Sequence, residues 1–195
     1  MKLKNYAILL SFLLGGSAFV KAQDIALKSN ILYDASGTIN LGAEVGLAPR
    51  WTLDVSGNYN GWVRSHGRTW KHWMLQPEAR YWFCDRFTGH FVGVHAHGGQ
   101  YNVGNLNNHI SFLGTDLSVL SDRRYQGWFV GAGIAYGYSW ILSRYWNVEA
   151  EIGVGYAYTR FDAYPCADCG TKLIDGKSHH YVGPTKVALN LIYVF

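Results

Sequence analysis

The chain has 195 residues, of which 16% are aromatic and 23 are glycine, and its formal net charge is +4. Once Lys2, Lys4 and Lys21 are set aside, 14 basic residues remain against 13 acidic ones, so the net charge lies mostly in the N-terminal segment. The sequence shows no basic patch of the kind that neutralises phosphates, and no nucleic-acid partner is predicted.

Residues 1–22 are predicted to be a secretory signal peptide. Two lysines precede an apolar run of 14 residues, from position 6 to position 19, and Val20 and Ala22 then supply small residues at the −3 and −1 positions of a cleavage site. A basic start, a short apolar run and a small-residue cleavage site are the parts of such a signal. We expect cleavage after Ala22, and residues 23–195 should then form one β-barrel domain.

The remaining residues alternate between apolar and polar positions, a pattern that predicts β-strands. No segment there approaches the roughly 18 apolar residues of a membrane-spanning helix, so a membrane location would require a closed barrel. Eight strands are predicted, at residues 25–33, 38–47, 51–59, 72–83, 90–101, 125–142, 146–161 and 182–195. Short connections alternate with long ones at 60–71, 102–124 and 162–181. Apart from a short first outer connection at 34–37, this is typical of outer-membrane barrels whose termini both lie inside.

One face of each predicted strand is apolar, with aliphatic residues near the middle and aromatic residues near the ends. Aromatic rings prefer the two headgroup levels of a membrane, so two girdles are expected. The inner girdle would contain Trp51, Tyr81, Phe83, Trp140, Trp146, Tyr193 and Phe195, and the outer one Tyr59, Trp73, Trp128 and Tyr158. The last strand ends on Phe195, in a pattern that resembles the assembly signal of bacterial outer-membrane barrels.

The opposite face is polar or small and would fill the interior of the barrel. An eight-stranded barrel has an interior just wide enough for its own side chains. The predicted charge network consists of Lys28, Glu44, Asp54, Glu78, Arg80, His95, His97, Glu149, Glu151 and Lys186. These charges are expected to pair, because an isolated buried charge is costly. A soluble barrel of the lipocalin type would have the reverse polarity.

Two pairs of interior residues raise the question of chemistry. His95 and His97 lie two apart on one face, but they lack the ligand spacing of a closed metal site, and a hydrogen-bonding role is preferred. Glu149 and Glu151 have the spacing of paired carboxylates in acid–base catalysis and are interpreted instead as counter-charges. Since no G-x-S-x-G motif accompanies them, no catalytic residue, metal or cofactor is predicted.

Cys166 and Cys169 form a C-x-x-C motif in the last long connection. Behind a signal peptide, this motif favours a disulfide that closes the loop. A zinc site that includes His179 and His180 is the alternative, although adjacent histidines are poorly spaced to bind one ion. Cys84 lies in a short inner turn and is expected to be a free thiol.

Seven segments of the chain carry a family resemblance. They are Lys28-Ser-Asn-Ile-Leu-Tyr-Asp-Ala35, Asn40-Leu-Gly-Ala-Glu-Val-Gly46, Trp51-Thr-Leu-Asp54, Gln76-Pro-Glu-Ala-Arg-Tyr-Trp82, Gly89-His-Phe-Val-Gly-Val-His-Ala-His97, Gly153-Val-Gly-Tyr-Ala-Tyr158 and Gly183-Pro-Thr-Lys186. With the C-x-x-C motif, they resemble the DUF3575 family over nearly the whole chain after residue 22. The resemblance implies a barrel-like protein in the outer membrane of a Gram-negative bacterium of the Bacteroidetes, and it carries over no catalytic residue.

The sequence therefore predicts an eight-stranded antiparallel up-and-down transmembrane β-barrel of the small OmpA/OmpX type in the cell outer membrane. Its filled interior favours a structural or interaction role for the outer loops, since exposed loops on rigid scaffolds commonly carry function. The expected partners are membrane lipid, the barrel assembly machinery and a cell-surface protein or polysaccharide. A lipid-modifying outer-membrane enzyme and a periplasmic soluble ligand-binding barrel are the less favoured alternatives.

Overall fold

The structure is a computed structural model that describes residues 25–62, 69–104, 111–112, 115–116, 123–165 and 170–195. The predicted signal peptide and the Cys166–Cys169 motif lie outside these residues. Within them, no helix is long and apolar enough to cross a membrane.

Strands make up most of the described chain. In order they are β1 (Ile25–Asn30), the helix α1 (Ile31–Ala35), β2 (Ile39–Ala48), β3 (Trp51–Asn60), β4 (Thr69–Trp82), β5 (Gly89–Gly104), β6 (Ser111–Phe112), β7 (Thr115–Asp116), β8 (Arg124–Ile141), β9 (Trp146–Tyr164) and β10 (Ile174–Val194). Eight of the strands form one closed ring in the order β1-β10-β9-β8-β5-β4-β3-β2, while β6 pairs with β7 separately. Every neighbouring pair in the ring is antiparallel, so the predicted all-β fold of eight antiparallel strands is confirmed.

The ring closes where β1 pairs with β10 along five residue pairs. Two prolines mark irregular places in the ladders. Pro184 stands at a register shift between β10 and β9, and Pro77 pairs with Val55 of β3 while the register between β4 and β5 skips it. Since proline has no N–H to donate, it is tolerated where the ladder on one side of its strand is interrupted.

The first strand is shorter than predicted. β1 ends at Asn30, and the helix α1 occupies residues that the alternation assigned to a strand as far as position 33. The side chain of Asn30 accepts a hydrogen bond from the Leu32 amide at 3.1 Å and caps the first turn of the helix. Asparagine is a preferred N-cap, and this local contact outweighs the apolar pattern of the residues that follow.

The last strand begins earlier than predicted, at Ile174 instead of Val182. Residues 174–181 continue the pairing with the outer end of β9, which itself extends to Tyr164. Because most of the added residues are polar on both faces, alternation gave no strand signal there. The predicted connection at 162–181 is therefore too long.

Buried and exposed side chains alternate along the ring strands. In the middle of the ring the buried positions are charged, and the exposed ones are apolar. At the end with the short connections, the interior is apolar instead, and Ala26, Trp82, Phe87, Phe91 and Ile192 form a buried cluster. The prediction of an interior face that is polar or small throughout is wrong at this end.

Candidate functional site: the charged interior

The centre of the interior is organised around the guanidinium group of Arg80. The strand β4 places this side chain inside the ring, where 0% of its surface is exposed. Its Nε lies 2.6 Å from Glu78 Oε1, and its Nη2 lies 2.7 Å from Glu151 Oε2. Its Nη1 lies 2.9 Å from Glu44 Oε2 and 3.1 Å from Glu149 Oε2. One cation thus joins carboxylates from β2, β4 and β9.

Lys28 and Lys186 supply two further buried cations. Lys28, on β1, contacts the carboxylate of Glu44. Lys186, on β10, lies 2.7 Å from Glu78 Oε2 and 3.0 Å from Glu151 Oε1. The strands β1 and β10 close the ring. Through these ion pairs, β1 is linked to its neighbour β2, and β10 is linked to its neighbour β9 and to β4 on the opposite side of the ring.

Asp54 on β3 lies between all three cations. Its carboxylate oxygens are 3.3 Å from Lys28 Nζ, 3.6 Å from Arg80 Nη2 and 4.0 Å from Lys186 Nζ. Eight buried side chains take part in these contacts, and we call them the ionic cluster. They are Lys28, Glu44, Asp54, Glu78, Arg80, Glu149, Glu151 and Lys186. Five carboxyl groups in this cluster face three cations.

Two contacts made by uncharged side chains link the ionic cluster to the apolar cluster at the end with the short connections. The hydroxyl of Thr52 donates a hydrogen bond to Glu44 and accepts one from Trp82 Nε1 at 2.9 Å. The guanidinium of Arg80 lies 4.5 Å from the centre of the Phe91 ring, within range of a cation–π contact. The charges are therefore shielded on this side by aromatic rings.

Glycines make room for the long charged side chains. A Cβ atom at Gly93 would lie 2.5 Å from Glu78 Oε1, and one at Gly42 would lie 2.8 Å from Lys28 Cγ. Both distances are too short for a real contact. The small residues on the inward face thus have a packing reason, as expected for a narrow barrel.

His95 and His97 lie on the side of the ionic cluster that faces the long connections. His95 Nε2 is 2.9 Å from Thr185 Oγ1, and His95 Nδ1 is 3.6 Å from Glu78 Oε2. The His97 ring packs against Phe129, with centroids 6.0 Å apart. Within the described ranges, no group of three or more His, Cys, Asp and Glu side chains could hold a metal ion.

The structure brings eight of the ten residues of the predicted charge network into one cluster and places His95 beside it. His97 lies farther out. The interior residues that sequence reasoning missed include Thr52, Trp82, Phe91 and Thr185. A signal for Trp82 existed, because it stands two positions after Arg80 and so shares its face of β4.

The predicted girdle residues lie on the exterior of the ring. At the end with the short connections, ring contacts link Trp51, Tyr81 and Phe83 on one side and Trp146, Tyr193 and Phe195 on another, with centroids 5.0 to 6.1 Å apart. Trp140 is exposed at the same end, and Trp73 and Trp128 are exposed toward the long connections. The Trp128 and Tyr158 rings are 5.6 Å apart.

An exposed ion pair holds the outer ends of β9 and β10 together. Lys172 Nζ lies 2.8 Å from Asp162 Oδ2, and the Gly176 N–H donates to Asp162 Oδ1 at 2.7 Å. The hydrogen bond from Lys172 is the main reason why the pKa of Asp162 is lowered, and the same contact raises the pKa of Lys172. We name these three residues the rim clip.

The cysteine and histidine residues outside the interior form no common site in the described residues. Cys84, in the turn between β4 and β5, is an exposed free thiol, as expected. His180 Nδ1 lies 2.5 Å from the hydroxyl of Tyr156, on the outer face of β10. Since adjacent residues of a strand point to opposite faces, His179 and His180 cannot bind one zinc ion together.

A closed ring of eight antiparallel strands with charged residues inside and apolar residues outside defines the class of this chain. The family model described as "Protein of unknown function (DUF3575)" matches residues 8–195, so the chain belongs to this family, as its segments predicted. The chain matches no curated protein and no solved structure.

Proposed function

We propose that the chain is a small outer-membrane β-barrel that crosses the membrane with its eight ring strands. Its long connections would lie outside the cell and serve a structural or interaction role. The observation that carries this proposal is the polarity of the ring, whose buried side chains are charged and whose exposed side chains are apolar. In water this arrangement would be doubly unfavourable, whereas lipid favours an apolar exterior and a closed ring of hydrogen-bonded strands.

The exposed apolar residues run from strand to strand across the exterior. Val94 on β5 stands opposite Ile134 on β8, and Ile134 stands opposite Val154 on β9. All three side chains are exposed, as are Leu53 on β3 and Val187 on β10. Soluble monomers rarely expose apolar patches larger than a few hundred Å². We expect this band to contact acyl chains, with the two aromatic girdles at the headgroup levels.

The filled interior supports a structural or interaction role over transport or storage. An enclosed cavity beside Lys28 and Asp54 has a volume of about 20 Å³. This is room for roughly one water molecule. A channel would need a continuous opening, and a soluble barrel that holds an apolar ligand would need an empty apolar interior, so the ionic cluster argues against both.

The outer rim offers a surface for a partner. An open cleft of about 670 Å³ lies there, and its lining includes Trp73, Trp128, Lys71, Arg160 and Asp162. Aromatic rings beside charges of both signs suit a cell-surface protein or polysaccharide, the partner expected for the loops. Membrane lipid and the barrel assembly machinery, which would engage the last strand, complete the proposed partners.

The proposal is tested by the location and the folding behaviour of the full-length protein. Cells expressing it are fractionated, the outer-membrane fraction is run on a gel with and without boiling, and intact cells are treated with protease. We expect an outer-membrane band that shifts on boiling and is cut only in the long connections. A soluble periplasmic band without a heat shift, beside a periplasmic marker protein, would reject the proposal.

A further inference from the structure

The ionic cluster is not balanced in charge. If all of its carboxyl groups were ionised, five negative charges would face three positive ones, all of them buried. Two uncompensated negative charges in a site that is largely shielded from solvent are costly. Either further positive charge enters the cluster or some of its carboxyl groups are neutral.

Glu78 and Glu151 share two cations and also approach each other. Lys186 Nζ touches both of them, at 2.7 Å from Glu78 Oε2 and 3.0 Å from Glu151 Oε1. Arg80 also touches both, at 2.6 Å through Nε and 2.7 Å through Nη2. The two carboxyl groups lie within hydrogen-bonding reach of each other. Carboxyl groups this close avoid ionising together, because like charges repel strongly where water is excluded.

We propose that Glu78 and Glu151 bind one proton between them and form a buried proton-binding site that is occupied at neutral pH. Glu151 Oε1 is buried, and although Lys186 Nζ lies 3.0 Å away, this oxygen makes no hydrogen bond of acceptable geometry among the described residues, so it is the oxygen that carries the proton. As a protonated oxygen it becomes a donor, and the Glu78 carboxylate is the acceptor.

The other ionisable groups around the pair agree with this assignment. They are Arg80 on β4, Lys186 on β10, Glu149 on β9, Asp54 on β3 and His95 on β5. The two cations already contact both carboxyl groups, so they cannot compensate each of them fully. One negative charge remains after the shared proton, and His95, whose Nδ1 lies 3.6 Å from Glu78 Oε2, is the base that can balance it at acidic pH.

The inference concerns the folded interior and goes beyond the proposed function, since it holds wherever the protein resides. It also predicts the direction in which the stability of the folded protein changes with pH. The folded protein binds a proton that a solvated glutamate releases below neutral pH, so stability must fall as the pH rises and the shared proton is lost.

Infrared spectroscopy on the full-length protein, refolded in detergent, tests the site directly. A protonated carboxyl group has a carbonyl stretch that an ionised one lacks. We expect this band at neutral pH in the wild type and its loss at alkaline pH. Glu151→Gln should lose the band, because the amide replaces the protonated acid with a neutral group of the same shape. Glu78→Gln removes the other half of the pair, should also lose the band, and serves if the first variant does not fold.

Glu149→Gln is the matched control. Glu149 belongs to the same cluster, contacts Arg80 and accepts a hydrogen bond from Asn190 at 2.8 Å, yet it lies outside the proposed pair. It should keep the band. The absence of a band in the wild type would overturn the proposal, and so would a band that both pair variants retain. A band that Glu149→Gln abolishes as completely as Glu151→Gln would assign the proton to the whole cluster and not to the pair.

A stability measurement gives a second test. The urea midpoint of the wild type should fall between neutral and alkaline pH, while that of Glu151→Gln should change less, because the glutamine has no proton to lose. Equal slopes for the two proteins would overturn the proposal.

Discussion

Arg80 contacts every carboxylate of the ionic cluster, from four different strands, at distances between 2.6 and 3.6 Å. We expect Arg80→Met to lower the free energy of unfolding by about 3–5 kcal/mol, because buried anions would lose their partner. Urea unfolding in detergent measures this change. The matched control is Arg160→Met, since Arg160 is exposed and has no ion pair within the described residues. An unchanged midpoint for Arg80→Met would mean that its guanidinium is solvated.

Two glycines allow a matched test of packing within the strands. A Cβ at Gly155 would lie 2.3 Å from the carbonyl oxygen of Ala132 and 2.6 Å from Gly133 Cα, whereas a Cβ at Gly57 would meet nothing within 4 Å. Gly155→Ala should therefore destabilise the ring by about 1–3 kcal/mol, the usual cost of overpacking. Gly57→Ala should have little effect. Equal urea midpoints for the two variants would contradict the close approach of β8 and β9.

The charges of the interior could be predicted from the sequence, whereas the role of the aromatic residues beside them was not decided by the sequence. Alternation put Arg80 and Glu78 on one inward face, and the high cost of unpaired buried charge predicted their pairing. Trp82 shares this face, yet its large ring also suits an exterior girdle. Hydropathy does not distinguish the two roles. The Trp82 ring lies inside because it donates a hydrogen bond to the Thr52 hydroxyl and packs against the Phe91 ring, and both of these residues belong to other strands.

At the scale of elements, the outer extension of β9 and β10 depends on the rim clip. Its key contact is the hydrogen bond from the Gly176 amide to Asp162, and hydrogen exchange at that amide reports it. The pKa of Asp162 is lowered, chiefly by the hydrogen bond from Lys172. The carboxylate should therefore stay ionised, and keep its hydrogen bond from the Gly176 amide, at every pH above the ordinary aspartate pKa. This hydrogen bond should be lost as the pH falls through the lowered value, below about 3.9.

The measurement compares Gly176 protection, corrected for the intrinsic exchange rate, between the wild type and Asp162→Asn. We expect the wild type to lose protection in the acidic range and Asp162→Asn to show weak protection throughout. Protection in the wild type that does not change with pH would contradict the role of the carboxylate.

The elements that alternation failed to predict have local or long-range causes. α1 replaces the end of a predicted strand because the Asn30 side chain caps it. The outer part of β10 carries mostly polar residues that gain their strand conformation from the pairing with β9. Long apolar strands such as β8, which begins and ends within one residue of its predicted bounds, were predicted well because one of their faces is uniformly apolar.

The exterior of the ring should respond to a charged substitution in opposite ways if it faces lipid and if it faces water. Ile134, 62% exposed, lies in the apolar band, and Leu173, 54% exposed, lies between β9 and β10 at the outer end. In a bilayer, Ile134→Arg should cost about 2–4 kcal/mol, as charged residues do near the midplane of a barrel. Leu173→Arg should be nearly neutral. Urea unfolding from lipid vesicles measures both, and two neutral substitutions would contradict a lipid-facing band.

The proposed membrane barrel requires this apolar band to face lipid, and spin labelling can show whether it does. A single nitroxide is attached at position 134 or at position 173 in a variant without other cysteines, reconstituted in vesicles. Its relaxation is then measured with oxygen, which concentrates in lipid, and with a water-soluble nickel complex. We predict that position 134 is accessible mainly to oxygen and position 173 mainly to nickel. Nickel accessibility at position 134 as high as at position 173 would show that the apolar exterior faces water, and the membrane barrel would be rejected.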